Sequence, residues 1–337
     1  MTIKTRITTA GAVALATGLG LGLATAPAPL AAQTIEIHNT MSAGGAEEAA
    51  LTRFAELIAE RSGGEMEVTV VLGGQLGSET DVLQLLNLGQ TQMALTGGLF
   101  MSEYAPELDA VSVPFVFPTF AAAEHYLLNT DSGAAVQEQA RERGNLVYFG
   151  PQMRGFRHMT SAVPINGPED LQGLRMRLPQ IPLWVDVWEE LGVQAVVIPA
   201  PDIYLAMRTG QVAAHENSLG GPYTRQMWEV QDYIITTAHL SFPWHWVASA
   251  RWWDSLSEDQ QTMVAEAIEE ARQHGIAVET ERDDYYREAL IENGMTFIDV
   301  DQAPFRAAAA PAIERALAAL ADGVPADIEA AIAATSD

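Results

Sequence analysis

Four of the 18 basic residues in this 337-residue chain lie within 24 positions: Arg154, Arg157, Arg175 and Arg177. The planar guanidinium group of arginine can meet a carboxylate with two parallel hydrogen bonds, which suits it to binding an organic acid. The same side chains could instead form exposed ion pairs with some of the 44 acidic residues, and such pairs contribute little to stability. The residue types alone therefore leave a binding site and a solvated surface both open.

Arg177 has the more informative position of the two arginines in "LRMRLP". This segment reads as a strand, and Pro179 ends it two residues after the arginine. Alternation along the strand places Arg175 and Arg177 on one face. Ligands of open α/β sheets bind at the carboxyl ends of the strands, which is where Arg177 lies.

Enzyme signatures are missing from the sequence. It contains no Gly-rich nucleotide-binding motif, no His-Glu-x-x-His and no Gly-x-Ser-x-Gly. The lack of cysteine excludes thiolate nucleophiles and Cys-ligated zinc. His239 and His245 lie among aromatic residues without an evident third ligand, which favours pocket or core positions over a metal site. We therefore predict that the chain is not an enzyme and uses no cofactor and no metal.

Adjacent acids such as Glu47–Glu48, Glu189–Glu190 and Asp283–Asp284 lie on predicted helices with polar surroundings. Catalytic carboxylate pairs need separate, partly buried environments, so we interpret these acids as solvated faces. The formal net charge of −26 argues against nucleic-acid binding, which needs clustered basic residues.

The N-terminus has the pattern of a secretory signal peptide. Two basic residues precede an apolar, charge-free run, and small residues follow it up to Ala32. We predict cleavage after Ala32 and export to the periplasm.

The rest of the chain alternates between strand and helix patterns, which predicts an α/β fold with a parallel sheet at its start. Two such series suggest two lobes, with several strands crossing between them. We assign residues 33–154 plus about 243–282 to lobe I, and residues 155–242 plus about 283–337 to lobe II. A Pro-free segment from Ser257 to about Glu292 predicts one helix of roughly 50 Å, long enough to span both lobes.

The segments "GFRHMTSAVPINGPEDLQGLRMRLP", "LGVQAVVIPAPDIYLAMRTGQVAAHENSLGG" and "TTAHL" together resemble the substrate-binding proteins of tripartite ATP-independent periplasmic (TRAP) transporters, DctP type. The earlier stretch "GGQLGSETDVLQLLNLGQTQMALT" is similar as well, and the resemblance runs from Thr34 to about Phe305. It implies a two-lobed periplasmic binding protein fold with crossing strands, a long spanning helix and a cleft that closes by hinge motion.

The resemblance also implies a carboxylate site. Arg177 matches the arginine that makes the bidentate contact with the ligand, and Arg157 and Asn217 match its two supporting residues. Arg154 and Arg175 match no ligand position, and we interpret them as structural.

Further candidates for the ligand site are Trp244, His239, Thr40, Thr96 and Tyr204. Trp244 and Trp246 alternate after "TTAHL", where the family's chain crosses back between the lobes near the cleft. Because small-ligand sites often combine aromatic walls with a few polar anchors, we expect a monocarboxylate with an apolar or aromatic body.

The expected function is capture of a small organic acid in the periplasm and its delivery to the small and large membrane subunits of a TRAP permease. We expect the protein to be a monomer and to bind no nucleic acid. Two alternatives remain at this point. One is a solute-binding protein of the ABC type, which the long helix and the arginine motif disfavour. The other is an exported enzyme on a two-lobed scaffold.

Overall fold

The structure is a computed structural model that describes residues 33–41, 43–198 and 202–336. The predicted signal peptide, residues 1–32, lies outside the described residues. Within the described ranges, no helix combines the length and apolar character needed to cross a bilayer.

The first half of the chain builds four strands of a five-stranded sheet and the helices that flank it. Strand β1 shows the expected period of two, because Ile35 and Ile37 are buried while Glu36 between them is exposed. The elements are β1 (Gln33–His38), α1 (Ala46–Arg61), β2 (Met66–Val71), α2 (Glu79–Leu88), β3 (Met93–Gly97), α3 (Gly98–Met101), α4 (Phe120–Asn129), α5 (Asp131–Gly144) and β4 (Leu146–Gln152).

The second half adds a six-stranded sheet and the remaining helices. Its elements are β5 (Phe156–Ser161), β6 (Arg175–Leu178), α6 (Pro182–Glu190), β7 (Gln194–Val197), α7 (Ile203–Arg208), β8 (Ala214–Asn217), α8 (Gly220–Thr224), β9 (Tyr233–Ser241), β10 (Trp244–Ser249), α9 (Ala250–Trp253), α10 (Glu258–Glu292), β11 (Thr296–Ile298), α11 (Gln302–Ala318) and α12 (Val324–Ala334).

The chain passes between the two sheets three times, twice through short crossings between strands and once through α10. The strand orders are β2-β1-β3-β10-β4 and β11-β9-β5-β8-β6-β7. Strand β4 leads directly into β5 of the other sheet, and β9 leads back into β10. The predicted parallel pairing holds for β1, β2 and β3, but β10 runs antiparallel to β3 and β4 because it returns from the second sheet.

The predicted long helix is present as α10, with 35 residues. Ser257 and Gln260 form the expected capping box at its start. Its first half packs Val264 and Ala271 into the core of the first sheet, and Leu290 in its second half packs against a cluster beside the second sheet. The two-lobed α/β fold with crossing strands and a spanning helix is thus confirmed, while the residue boundaries of the lobes stay a prediction.

Gly275 lies where α10 comes closest to its neighbours. A Cβ atom at this position would lie 2.8 Å from the Cβ of Ala50 in α1 and 2.6 Å from the side-chain nitrogen of Gln152 in β4. Gln152 could adjust, but the Ala50 methyl group could move only with its helix. The glycine is therefore a requirement of close packing and not only a weak point of the helix.

We predict that Gly275→Ala lowers the free energy of unfolding by about 1–3 kcal/mol, the usual cost of overpacking a tight contact. Alanine would otherwise stabilise the helix by about 1 kcal/mol, so the sign of the change tests the contact. Urea denaturation followed by circular dichroism measures it, with Glu266→Ala at an exposed position of α10 as the control. A variant as stable as the wild type would contradict this account of the packing.

Candidate ligand-binding site

A cavity of about 520 Å³ lies where the chain crosses between the sheets. Small-molecule pockets usually measure about 300–1,000 Å³, so its size suits a small ligand. The start of α1, the two crossings, the β8–α8 junction and the middle of α10 all contribute to its wall. Its charged and amide side chains are Glu47, Arg154, Arg157, Asn217, Arg225 and Glu279.

Arg157 lines this cavity and is held in place by a buried carboxylate. Its Nε and Nη2 donate to the two carboxylate oxygens of Glu216, with Nη2 2.9 Å from Oε1. Nη2 also donates to the Glu216 carbonyl oxygen at 3.1 Å. The two residues meet because β5 and β8 are neighbouring antiparallel strands. The guanidinium group also lies over the ring of Trp184, 5.1 Å from its centre.

Glu216 is fully buried and yet charged. Burial alone raises the pKa of this carboxyl group, but the Arg157 guanidinium and hydrogen bonds from His239 and Arg157 outweigh burial and hold the pKa far below its usual range. Removing either partner would leave an uncompensated charge inside the protein, which is costly.

His239 supports Glu216 from within the second lobe. Burial lowers the pKa of His239, so its ring is neutral and carries one N–H. Nε2 lies 3.3 Å from Glu216 Oε2, and Nδ1 lies 2.8 Å from the hydroxyl of Thr237. Nε2–H therefore donates to the carboxylate, and Nδ1 accepts from the hydroxyl. His239 is not among the residues that line the 520 Å³ cavity, and its position suits support of Glu216.

Arg177 is only 4% exposed, and it does not line the cavity. Its Nε donates to the carbonyl oxygen of Ile198 at 2.7 Å. Burial lowers the pKa of Arg177 to about 10; Glu216 opposes this shift, and the guanidinium groups of Arg157 and Arg225 add to it. At neutral pH Arg177 therefore remains positively charged, next to the other two arginines. Its role as the main anchor stays a prediction.

Arg225 is a cavity residue that the sequence motifs did not indicate. It directly follows α8, and its Nη1 donates to the carbonyl oxygen of Gly221 at 3.3 Å. Burial and the nearby Arg157 guanidinium lower its pKa. Within the described part of the chain, neither Arg177 nor Arg225 has a carboxylate oxygen within 4.0 Å.

We call Arg157, Arg177, Arg225 and Glu216 the arginine cluster. Three guanidinium groups share one carboxylate, so the cluster carries two positive charges in excess. An anion bound beside it would relieve this excess.

Asn217 adds a neutral donor next to the cluster. It ends β8 and lines the cavity, and its Oδ1 accepts a hydrogen bond from the Ser218 N–H at 3.0 Å. Gly221 leaves room for the amide, because a Cβ at that position would lie 2.5 Å from Asn217 Nδ2. Nδ2 makes no hydrogen bond to a described residue and can donate to a ligand oxygen.

Glu47 brings negative charge to another part of the cavity wall. It lies in the first turn of α1 and is only 5% exposed, so the interpretation of Glu47 as part of a solvated face is wrong. Its Oε1 accepts from Trp244 Nε1 at 2.7 Å and lies 3.4 Å from Arg154 Nη2. The Arg154 guanidinium in turn lies over the Trp244 ring, 4.7 Å from its centre. Trp244 is therefore buried beneath two cavity residues and does not itself line the cavity.

Glu279 and Asp283 lie one turn apart on α10 and extend this negative region. Burial raises the pKa of Glu279; Arg154 opposes this shift, and Glu47 adds to it. Burial and the neighbouring Glu279 raise the pKa of Asp283 to about 7. The Asp283 carboxylate lies against Gly155, where a Cβ would collide with it. Asp283 is therefore only partly exposed, whereas the sequence interpretation placed it on a solvated face. Glu47 and Glu279 line the cavity and Asp283 does not; we call the three together the acidic wall.

The expected tryptophan wall is not present. Trp246 is fully buried in the first lobe, where it packs edge-on against Phe54 and donates to Gln152 Oε1 at 3.0 Å. Trp246 therefore does not face the cavity. The cavity instead takes its aromatic surface from Phe242 and Tyr286.

Three other candidates lie away from this cavity. Thr40 and Thr96 line a separate space of about 10 Å³, no larger than one water molecule needs. Burial raises the pKa of Glu79 in that space to about 6. Tyr204 lies on α7, where its hydroxyl donates to Glu229 Oε2 at 2.5 Å.

No group of His, Asp and Glu side chains in the described ranges is arranged to hold a metal ion. The donor set of the cavity thus consists of guanidinium, amide and carboxylate groups. Such a set can bind an organic acid through complementary charge and hydrogen bonds.

Comparison with known proteins agrees with this geometry. The family model for DctP, the bacterial extracellular solute-binding proteins of family 7, matches residues 38–319. The chain belongs to this family. It is a periplasmic substrate-binding protein of a TRAP transporter, as the resemblance implies.

Individual relatives match over nearly their whole length. A solute-binding protein of Roseobacter denitrificans is 29% identical over 282 residues, which cover 83% of this chain and 86% of the relative. The crystal structure of a TRAP periplasmic solute-binding protein from that species with bound L-galactonate has a TM-score of 0.75 at 28% identity, covering 89% and 99% of the two chains. One from Ochrobactrum anthropi, with a C-terminus bound in its ligand-binding pocket, has a TM-score of 0.85 at 27% identity, covering 90% and 96%.

The raised pKa of Asp283 has a consequence for stability. The folded protein holds the Asp283 proton up to about pH 7, whereas a free Asp loses it near pH 4. The folded state thus binds more protons between these values, and this contribution falls as pH rises through 7. We predict that Asp283→Asn stabilises the protein at pH 8 by on the order of 2 kcal/mol, with little gain at pH 4.

Urea denaturation at the two pH values measures this difference. Asp284→Asn, at the exposed neighbouring position, is the matched control and should show no such pH-dependent gain. Equal effects of the two substitutions at pH 8 would contradict the assigned environment of Asp283.

Proposed function

We propose that the protein captures a small organic acid by placing the acid's carboxylate at the arginine cluster. The observation that carries this proposal is the charge imbalance at the cavity. In a chain with a formal net charge of −26, three arginines lie together around a single carboxylate. Arg157, Arg225 and Asn217 reach the cavity surface, where a ligand can contact them.

The ligands of relatives support an acid of small size. The Roseobacter protein described above was crystallised with L-galactonate, a polyhydroxylated monocarboxylate. Phe242 and Tyr286 offer aromatic surface to part of the ligand. We therefore keep the prediction that part of the ligand is apolar or aromatic and lies against these two side chains.

We further propose that a TRAP permease, with its small and large membrane subunits, receives the acid from a monomeric protein in the periplasm. Family membership supports both the compartment and the transporter class. Export would rest on the predicted signal peptide. For delivery, the closed form should be favoured only through contacts that the ligand makes better in the closed form than in the open form. The acid can then be released at the permease.

A binding role without catalysis fits the site better than the alternatives do. Family 7 membership disfavours a solute-binding protein of the ABC type. The relatives are named as solute-binding proteins, which supports the proposal that the ligand leaves chemically unchanged. An enzyme would consume it.

Arg225 offers a cleaner test than Arg157 or Arg177. Removing Arg157 would strand the buried charge of Glu216, and removing Arg177 would leave the Ile198 carbonyl without its partner. Either change could affect folding as well as binding. Among the described residues, the Arg225 side chain donates only to the carbonyl oxygen of Gly221, one helical turn earlier, over a long distance of 3.3 Å.

We predict that Arg225→Gln weakens binding of the acid roughly tenfold to a hundredfold, because a charge-assisted hydrogen bond is lost. Thermal-shift screening against monocarboxylates including L-galactonate identifies the probe, and calorimetry with that probe gives the affinity. Arg208→Gln, at an exposed position of α7, is the control and should bind like the wild type. Unchanged affinity in Arg225→Gln, with the fold intact, would refute the proposed carboxylate site.

A further inference from the structure

The cavity contains groups of both charge signs that lack a partner of opposite charge. On the acidic wall, neither Glu279 nor Asp283 has a basic nitrogen within 4.0 Å among the described residues. On the arginine cluster, the same holds for carboxylates around Arg177 and Arg225. Of these four residues, Glu279 and Arg225 line the cavity itself, and the protein gives neither of them an ion-pair partner among the described residues.

Glu47 shows that the acidic wall is oriented for a contact. Its side chain is only 7% exposed, yet it lines the cavity. Trp244 and Arg154 both approach Oε1, whereas Oε2 accepts no hydrogen bond from a described residue. A carboxylate so deeply buried normally uses both oxygens, so a donor from a ligand would complete its coordination.

The charges near this wall fix the kind of group that fits. Three carboxylates belong to it, and two guanidinium groups, those of Arg154 and Arg282, act on them. The carboxylates outnumber the guanidinium groups by one, although Asp283 keeps its proton up to about pH 7 and so reduces the excess charge below that value. Burial first, and then repulsion from a neighbouring carboxylate, raise the pKa of both Glu279 and Asp283. A second carboxylate on the ligand would be repelled here, and a plain hydrocarbon would leave the oxygens unpaired.

We propose that the acidic wall is a second subsite of the cavity and that it binds a hydrogen-bond donor of the ligand, a hydroxyl or an ammonium group. This inference rests on the proposed function, because the ligand's carboxylate is taken to lie at the arginine cluster. The ligand class is then narrowed from organic acids in general to acids with a donor group remote from the carboxylate. Dicarboxylates long enough to reach the wall are excluded.

A matched ligand series tests the second subsite. Calorimetry would compare hexanoate, 6-hydroxyhexanoate, 6-aminohexanoate and adipate, with the four- and five-carbon analogues covering other spans. We expect the hydroxy or the amino acid to bind about tenfold more tightly than hexanoate or adipate of equal length, the gain of one charge-assisted hydrogen bond. Whichever of the two ligands binds more tightly, the hydroxy acid or the amino acid, identifies the donor group.

Two substitutions at Glu279 separate the contributions of charge and hydrogen bonding. Glu279→Met removes both acceptor oxygens of Glu279 and should reduce either preference severalfold, with Glu47 Oε2 as the remaining acceptor. Glu279→Gln keeps one acceptor and should weaken only a preference for the amino acid. Glu281→Gln, at an exposed position of the same helix, is the control and should leave the preference unchanged. Thermal melting verifies that each variant is folded.

The outcomes distinguish this inference from the function on which it rests. Equal binding of all four acids, tighter binding of adipate, or a donor preference that is undiminished in Glu279→Met would overturn the second subsite. If that happened while Arg225→Gln still weakened binding, the carboxylate site would stand alone. Failure of every acid in the series to bind would count against both.

Discussion

The ion pair between Arg157 and Glu216 is the interaction on which the rest of the site depends. A fully buried carboxylate is stable only when its charge is matched. Here Arg157 matches the charge, and the neutral His239 adds a hydrogen bond. The same pair fixes one guanidinium group at the cavity surface and lowers the mutual repulsion of three neighbouring arginines. Without Glu216, these arginines would repel one another inside the second lobe. With it, they keep an excess of positive charge that an acid can neutralise.

The fold places this cluster where both lobes can reach a ligand. Arg157 comes from the second sheet, Glu47 comes from a helix that packs on the first sheet, and Glu279 comes from the helix that spans both. A ligand that contacts both lobes stabilises their closed arrangement by the difference between its binding free energies for the closed and the open arrangement. Because the two regions of the cavity carry opposite charge, such bridging would be specific for acids with a hydrogen-bond donor remote from the carboxylate.

Local patterns were sufficient to predict the fold. The capping residues Ser257 and Gln260, the period of two in β1 and the alternation of strands and helices all depend on near neighbours in sequence. The motif around Arg157 and Asn217 likewise indicated two residues that line the cavity. Arg225, Glu47 and Asp283 could not be found in this way, because their burial depends on elements far apart in the chain. Glu47 lies beside Trp244, 197 positions away, and nothing in its own helix distinguishes it from its neighbour Glu48, which is only partly buried.

The central claim is that the arginine cluster binds the carboxylate of an organic acid. A crystal structure of the protein as purified from bacteria, together with native mass spectrometry of whatever it carries, tests this claim most directly. We expect an acid in the cavity with its carboxylate oxygens about 3 Å from guanidinium nitrogens of the arginine cluster. A neutral ligand there, or an acid whose carboxylate lies away from these arginines, would contradict the account.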